Sequence, residues 1–179
     1  MSSVLSVLNQ KGGSGKTTLA TNLARALQLD GYTTEILDAD PQRTATEWSR
    51  LQPQDSDMPG VSTTTASSIE EDVGRATSDV VVVDGAPALD TLNVRAVKMS
   101  DLVLIPVRAS GPDVWSGEDL IHLIQARRKK TGGYPRATFV VCQQIARTNL
   151  AAEIEDVLDA YSLPVLSGRT NHRVAYAEA

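Results

Sequence analysis

The chain has 179 residues, 41% hydrophobic and 22% charged, proportions that suit one globular domain with a core large enough for a two-sided sheet and exclude extensive disorder. Its single cysteine, Cys142, excludes an intrachain disulfide and a multi-cysteine metal cluster. A net charge of −5 excludes a surface that attracts nucleic acid everywhere, so any such contact needs a local basic patch.

In chain order, Val4–Leu8 reads as a first strand. It is too short for a signal-peptide core and runs directly into Asn9, Gln10 and Lys11, so a cytoplasmic protein is expected. No stretch approaches the roughly 18 apolar residues of a membrane span. A glycine-rich turn follows, then a helix from about Lys16 to Leu29, in which Leu19, Leu23, Ala26 and Leu27 form one apolar stripe. Asp30-Gly31 ends it, with Gly31 as the C-terminal cap. Thr33–Leu37 is a second strand ending at Asp38, Pro53 to Pro59 a loop, and Val61–Thr64 a short strand. Ser67–Ala76 reads as a helix capped by Ser67 or Ser68, with Glu70 and Glu71 in its first turn. Val80–Val83 has no polar alternation and predicts a strand buried on both faces, as do Leu102–Val107 and Ala137–Cys142. Asp113 to Lys130 is the longest helical stretch, with Trp115 at its start. Asn149–Ala160 gives another helix and Leu163–Leu166 a last short strand. Trp48 and Trp115 are expected to pack rather than stack on ligands, and His122 has no partner pattern for a metal.

This alternation predicts an α/β fold, a doubly wound, mostly parallel sheet with helices on both faces. Residues 1–179 read as a single domain without internal repeats. Functional groups then belong at the carboxyl ends of the strands.

The strongest motif, Lys11-Gly12-Gly13-Ser14-Gly15-Lys16-Thr17-Thr18, lies between the first strand and the first helix. Its glycines let backbone N–H groups converge on phosphate oxygens, and the helix start aims its positive dipole end at the same anion. Lys16 is expected to reach the β- and γ-phosphates and the Thr17 hydroxyl to bind Mg²⁺. The strict P-loop pattern has glycine where this chain has Gln10, and it carries Lys11 next. A lysine there cannot easily reach phosphates wrapped by its own loop, but it can reach the nucleotide of a facing subunit.

Two strand ends are acidic: Asp38-Ala39-Asp40-Pro41-Gln42 and Asp84-Gly85-Ala86-Pro87. Alone, each aspartate would read as a cap or turn former. Beside a P-loop they mark where hydrated Mg²⁺ would sit. Asp84 fits an aspartate holding a metal water, and Asp38 could share that shell. Asp40 could orient the attacking water or accept its proton. Gly85 is expected where the backbone approaches the γ-phosphate, making Asp84–Pro87 a switch segment.

At these residues the chain resembles the ParA/MinD group of deviant-Walker ATPases, and most closely the small ParA proteins without an N-terminal DNA-reading domain. The matching pieces are Asn9 to Thr18, Asp38 to Gln42, Val83-Asp84-Gly85-Ala86 and Ser100 to Val107, with a weaker piece at Asn171-His172-Arg173 and Tyr176. The resemblance implies a P-loop NTPase-like fold and a face-to-face homodimer driven by ATP and Mg²⁺, in which Lys11 touches the partner's nucleotide. It implies non-specific DNA binding on the nucleoid and hydrolysis stimulated by a centromere-binding or cargo adaptor protein. On this reading Lys11, Lys16 and Asp40 are the candidate catalytic residues, and Thr17, Asp38 and Asp84 serve the metal. The chain departs from the family at Gln143-Gln144, where relatives often carry Asn-Arg; Gln143 could still read the adenine edge. It also stops at Ala179, where the family pattern continues into a further helix, which bears on dimer stability and DNA affinity.

Arg127-Arg128-Lys129-Lys130 reads first as cations complementing a helix end. Arg147, Arg169 and Arg173, in the half that resembles the family's DNA-contacting surface, are the candidate DNA contacts. Three rival readings stand beside DNA partition. A membrane-cycling ATPase would need an amphipathic basic helix that Val174–Ala179 does not supply. A P-loop amidating synthetase would need a second set of catalytic residues. A positioning ATPase for a protein cargo or conjugation complex would share the chemistry, so the cargo itself stays open.

Overall fold

The computed structural model describes residues 1–53, 56–108, 117–143, 154 and 157–171. Six parallel strands, β1 (Ser3–Val7), β2 (Thr34–Asp38), β3 (Gly60–Thr63), β4 (Val80–Asp84), β5 (Leu102–Arg108) and β6 (Arg136–Cys142), form one sheet in the order β3-β2-β4-β1-β5-β6. Helices α1 (Lys16–Leu29), α2 (Thr44–Arg50), α3 (Ile69–Arg75), α4 (Thr91–Met99) and α5 (Glu118–Lys130) connect them. The expected doubly wound parallel sheet is therefore present.

The four valines of β4 show why the sheet needs cover on both sides. Val80 and Val82 pack in one apolar cluster with Ala20 and Ala24 of α1 and Ala45 of α2. Val81 and Val83 point the other way, into a cluster with Ile69 of α3, Leu92, Ala96 and Val97 of α4, and Leu120, Ile121 and Ile124 of α5. Period-two alternation thus feeds two cores from one strand. Phe139, fully buried, anchors the second core and meets Tyr161 edge-on at 6.2 Å between ring centres.

Helix α1 occupies the span its sequence predicts, but its deepest contacts differ. Ala20 and Ala24 are fully buried, Leu19, Leu23 and Leu27 are half-buried, and Ala26 faces solvent. Small residues lie at the closest approach to the sheet, and the leucines fill its flanks. At the end of α1, Gly31 (φ 96°) takes the left-handed conformation, its N–H donates to Gln28 O, and Tyr32 N–H donates to Leu27 O. These two bonds make a Schellman cap.

Helix α4 had no counterpart among the sequence expectations. Asp90 caps it by accepting from Asn93 N–H at 2.9 Å, and Leu92, Ala96 and Val97 are its buried face. Only nine residues long, it gives little room for periodicity to register. The expected strand at Leu163–Leu166 is a single bridge, Val165 to Phe139. The long helix is described from Glu118, so the expected start at Asp113 and Trp115 lie outside the described residues. Of Asn149–Ala160, positions 154 and 157–159 are helical, and Ile154 and Leu158 enter the core.

Candidate functional site

Sheet order brings the chemistry together. β1 lies between β4 and β5, and Asp84 is in register with both Val7 on β1 and Asp38 on β2. The glycine-rich loop after β1 therefore emerges beside the Asp84 end of β4 and one strand away from the Asp38 end of β2, at the sheet's carboxyl edge.

Asn9, 1% exposed, fixes the loop's root: its Nδ2 donates to Pro106 O at 2.6 Å, and its Oδ1 accepts from Lys11 N–H at 2.9 Å. Gly13 (φ 69°) and Gly15 (φ 98°) are left-handed, and Gly15 is the N-cap of α1. Lys16, 6% exposed, donates from Nζ to Lys11 O at 3.0 Å. Burial lowers its pKa, while the charges of Asp84 and Asp40 act to raise it. A cleft of about 340 Å³ opens here, lined by the loop glycines, Lys16, Thr17 and Thr18 and faced by Asp40, Gln42, Thr44, Pro87 and Gln143.

Asp84 is fully buried, and neither carboxylate oxygen has a hydrogen-bond partner among the described residues. Burial pushes its pKa up to about 7; Thr17 and Lys16 act to lower it, while Asp38 and Asp40 add to the rise. A buried carboxylate with the Thr17 hydroxyl near it and a cationic loop beside it fits a magnesium site, because a cation and its waters would satisfy the oxygens. Thr17, at the start of α1, supplies a hydroxyl to the same cleft. Ser14 Oγ is also buried and without a partner among the described residues. Among the described residues no three Asp, Glu, His or Cys side chains are arranged to ligate one metal ion, so a cation here would depend on phosphate and water for most of its ligands.

Asp38 differs from Asp84 in kind. It is 1% exposed, yet one oxygen accepts from Asp40 N–H (3.1 Å) and the other from Thr46 N–H (2.8 Å) and Thr46 Oγ1–H (2.7 Å). It thereby caps α2 from a distance, in place of Arg43, which is left-handed (φ 54°) and makes no side-chain cap. Expected near the metal, it also places Asp40 and α2, and its charge acts on Asp84. Asp40 lies at the cleft, with Oδ1 accepting from Gln42 N–H at 2.9 Å.

Gly85, expected near the γ-phosphate, is also held by close packing. Its N–H donates to Val7 O at 3.1 Å. A Cβ there would run into Leu8 Cδ2 and lie 3.0 Å from Asn93 Oδ1. Packing against β1 and α4 demands the glycine at this strand end. Asn93 Nδ2 donates to Ala86 O at 3.0 Å and to Ala88 O, pinning the proposed switch segment from α4.

Gln143, left-handed (φ 54°) at the end of β6, donates from Nε2 to Gly13 O at 3.0 Å, so its amide is at the phosphate loop. Arg108, at the end of β5, donates from Nε to the same oxygen at 3.0 Å. Sequence reading missed Arg108, although a polar residue closing an apolar strand at the carboxyl edge is the signal that would have found it. Arg169 is exposed, and Arg147 and Arg173 lie outside the described residues.

Residues 5–179 match the model of the CobQ/CobB/MinD/ParA nucleotide binding domain. The chain is 30% identical to the maintenance of carboxysome distribution protein A of Halothiobacillus neapolitanus, over 98% of this chain and 82% of that protein. Among solved structures, a Cyanothece McdA–ATP complex superposes with a TM-score of 0.78 at 15% identity, covering 99% of this chain and 86% of that one. Cobyrinic acid a,c-diamide synthase from Mycobacterium smegmatis, with ADP and magnesium, gives 0.77 at 21% identity, covering 97% and 87%. At such identities the two structures speak for the fold alone. The phosphate loop, the acidic strand ends and a family match over nearly the whole length agree: this chain belongs to the CobQ/CobB/MinD/ParA nucleotide-binding family.

Proposed function

We propose that this chain is an ATPase of the ParA/MinD type that acts as an ATP-gated homodimer to position a cargo in a bacterial cell. The observation that carries the reading is the cleft, with Lys16 beside the buried Asp84 and Asp40 in its lining, and Lys11 just before it in the chain with a backbone held by Asn9 and Lys16. Lys16 and the loop N–H groups bind the phosphates; Thr17 and Asp84 would hold Mg²⁺, which when bound would supply positive charge beside the phosphates. Asp40, oriented by its N–H bond to Asp38, positions the attacking water or takes its proton. Asp38 serves by holding that loop and α2. Lys11 completes the site of the facing subunit.

The cargo is a DNA replicon or a protein assembly. Identity to a relative named for carboxysome distribution favours the protein assembly as the alternative to partition. The dimer binds DNA without sequence preference, with Arg169 and, outside the described residues, Arg147 and Arg173 as contacts; an adaptor on the cargo stimulates hydrolysis. Among the described residues no helix is long and apolar enough to cross a membrane, and the proposal involves none.

Sizing by light scattering with ATP, ADP or no nucleotide tests the mechanism. Wild type should dimerise with ATP and Mg²⁺ alone, and Lys11→Ala should stay monomeric while still binding ATP. A wild-type protein that remains monomeric at saturating ATP and Mg²⁺ refutes it.

A further inference from the structure

The Gly13 carbonyl receives two side-chain donors from different strands. Arg108 Nε, closing β5, and Gln143 Nε2, just beyond β6, each lie 3.0 Å from it. A carbonyl oxygen has two lone pairs, so these two donors satisfy it fully. The Arg108 guanidinium also lies over the glycine, with Nη2 2.6 Å from where a Cβ would stand. Gly13 itself, with φ 69° and no side chain, offers little steric resistance to rotation of the peptide that follows it.

We propose that Arg108 and Gln143 form a two-donor clamp that presets the Gly13–Ser14 peptide for phosphate binding, which makes them positioning residues of the nucleotide site. The inference rests on the reading of this loop as a triphosphate site. In a planar trans peptide the C=O and the following N–H point in opposite directions. Drawing the Gly13 oxygen towards β5 and β6 turns the Ser14 N–H away from them, towards the half of the sheet that carries Asp84 and Asp40. A flipped peptide would present an oxygen lone pair to the phosphates, and the clamp excludes it. Both bonds are solvent-exposed, so water substitutes in part for either donor alone. Loss of both frees the glycine.

Calorimetric titration of the full chain with Mg²⁺ and either ATP or inorganic tripolyphosphate provides the test. Arg108→Ala and Gln143→Ala should each weaken both probes about fivefold. The double variant should weaken them about a hundredfold, more than the product of the singles, because each donor covers for the other. Gln143→Glu, similar in size but without the donor and with a charge facing the phosphates, should weaken both probes at least as much as Gln143→Ala, and Arg108→Lys, which keeps a donor, should recover most of the affinity. These near-isosteric variants keep the test open where an alanine variant does not fold.

A Gln143→Ala loss confined to ATP, with tripolyphosphate unaffected, would assign the amide to the adenine and overturn the clamp. So would multiplicative effects, wild-type affinity in Gln143→Glu, or affinity losses fully matched by lost stability without nucleotide. If Lys16→Ala abolishes binding while the clamp variants retain it, the clamp alone falls. If wild type binds neither probe, the triphosphate reading falls and takes the clamp with it.

Discussion

Replacing Asp84 by asparagine should stabilise the nucleotide-free protein while disabling it. The carboxyl is fully buried, and its pKa rises from 3.8 to about 7, chiefly through burial. Because the folded state holds the proton more tightly than the unfolded chain, rising pH costs stability: the loss starts near 3.8, accumulates as the unfolded carboxyl ionises alone, and is complete above about 7. At about 1.36 kcal/mol per pH unit that interval amounts to about 4 kcal/mol, an upper bound because water entering the cleft would hydrate the charge. The Asp84→Asn variant would carry no such pH dependence, since an amide does not ionise in this range. Urea unfolding of both proteins without Mg²⁺ or nucleotide, at pH 4.5 and pH 8, reads the difference directly. The advantage of Asp84→Asn should be small at the lower pH and several-fold larger at the higher one. With saturating ATP and Mg²⁺ the ranking should reverse, since ligand binding stabilises only the protein that holds it well. A difference that is flat across this range, or a variant no more stable at pH 8, would refute a strained, desolvated Asp84.

Three further outcomes follow from the same geometry. Asp40→Ala should keep ATP affinity within a few-fold and lose turnover by about 100-fold or more, measured as phosphate release with partner present; wild-type turnover would remove Asp40 from the chemistry. Gly85→Ala should lower the stability of the nucleotide-free protein by about 1–3 kcal/mol, because the added methyl meets Leu8 and lies near the Val7 carbonyl. A drop in ATP affinity without a change in melting temperature would instead restore a phosphate role for Gly85. Thr46→Val removes one donor to the buried Asp38 and should cost about 1–3 kcal/mol in urea unfolding, with slower turnover as Asp40 loosens.

Sequence patterns reported the sheet well because its strands carry their own signature. Val80–Val83, Leu102–Val107 and Ala137–Cys142 are apolar runs that only a two-sided core accommodates, and all three lie in strands of the sheet. The glycines and Lys16 were equally legible, since a phosphate nest needs those residue types in that spacing. Three-dimensional partnerships were not. Asp38 and Asp84 look alike in the chain, both ending apolar strands beside a P-loop. Only the folded arrangement shows that Thr46 and the Asp40 N–H satisfy one and leave the other without partners among the described residues. Gly85 invited a phosphate because it follows an acidic residue; its neighbour Leu8 lies 77 positions away in sequence, just past the strand alongside, and no local pattern records that contact. Arg108 and Asn93 escaped notice for the same reason, as each acts on a loop from another element.

The distant cap on α2 makes that helix and the Asp40 loop one mechanical piece. A single carboxylate grips the Asp40 amide with one oxygen and the first turn of α2 with the other. Anything that levers the helix outward must therefore either drag the Asp40 loop along or leave a buried negative charge bare. The outer face of α2 and the Asp40 loop are thus coupled through one buried side chain as well as through the chain between them, where Arg43 N–H donates to Asp40 O at 2.9 Å.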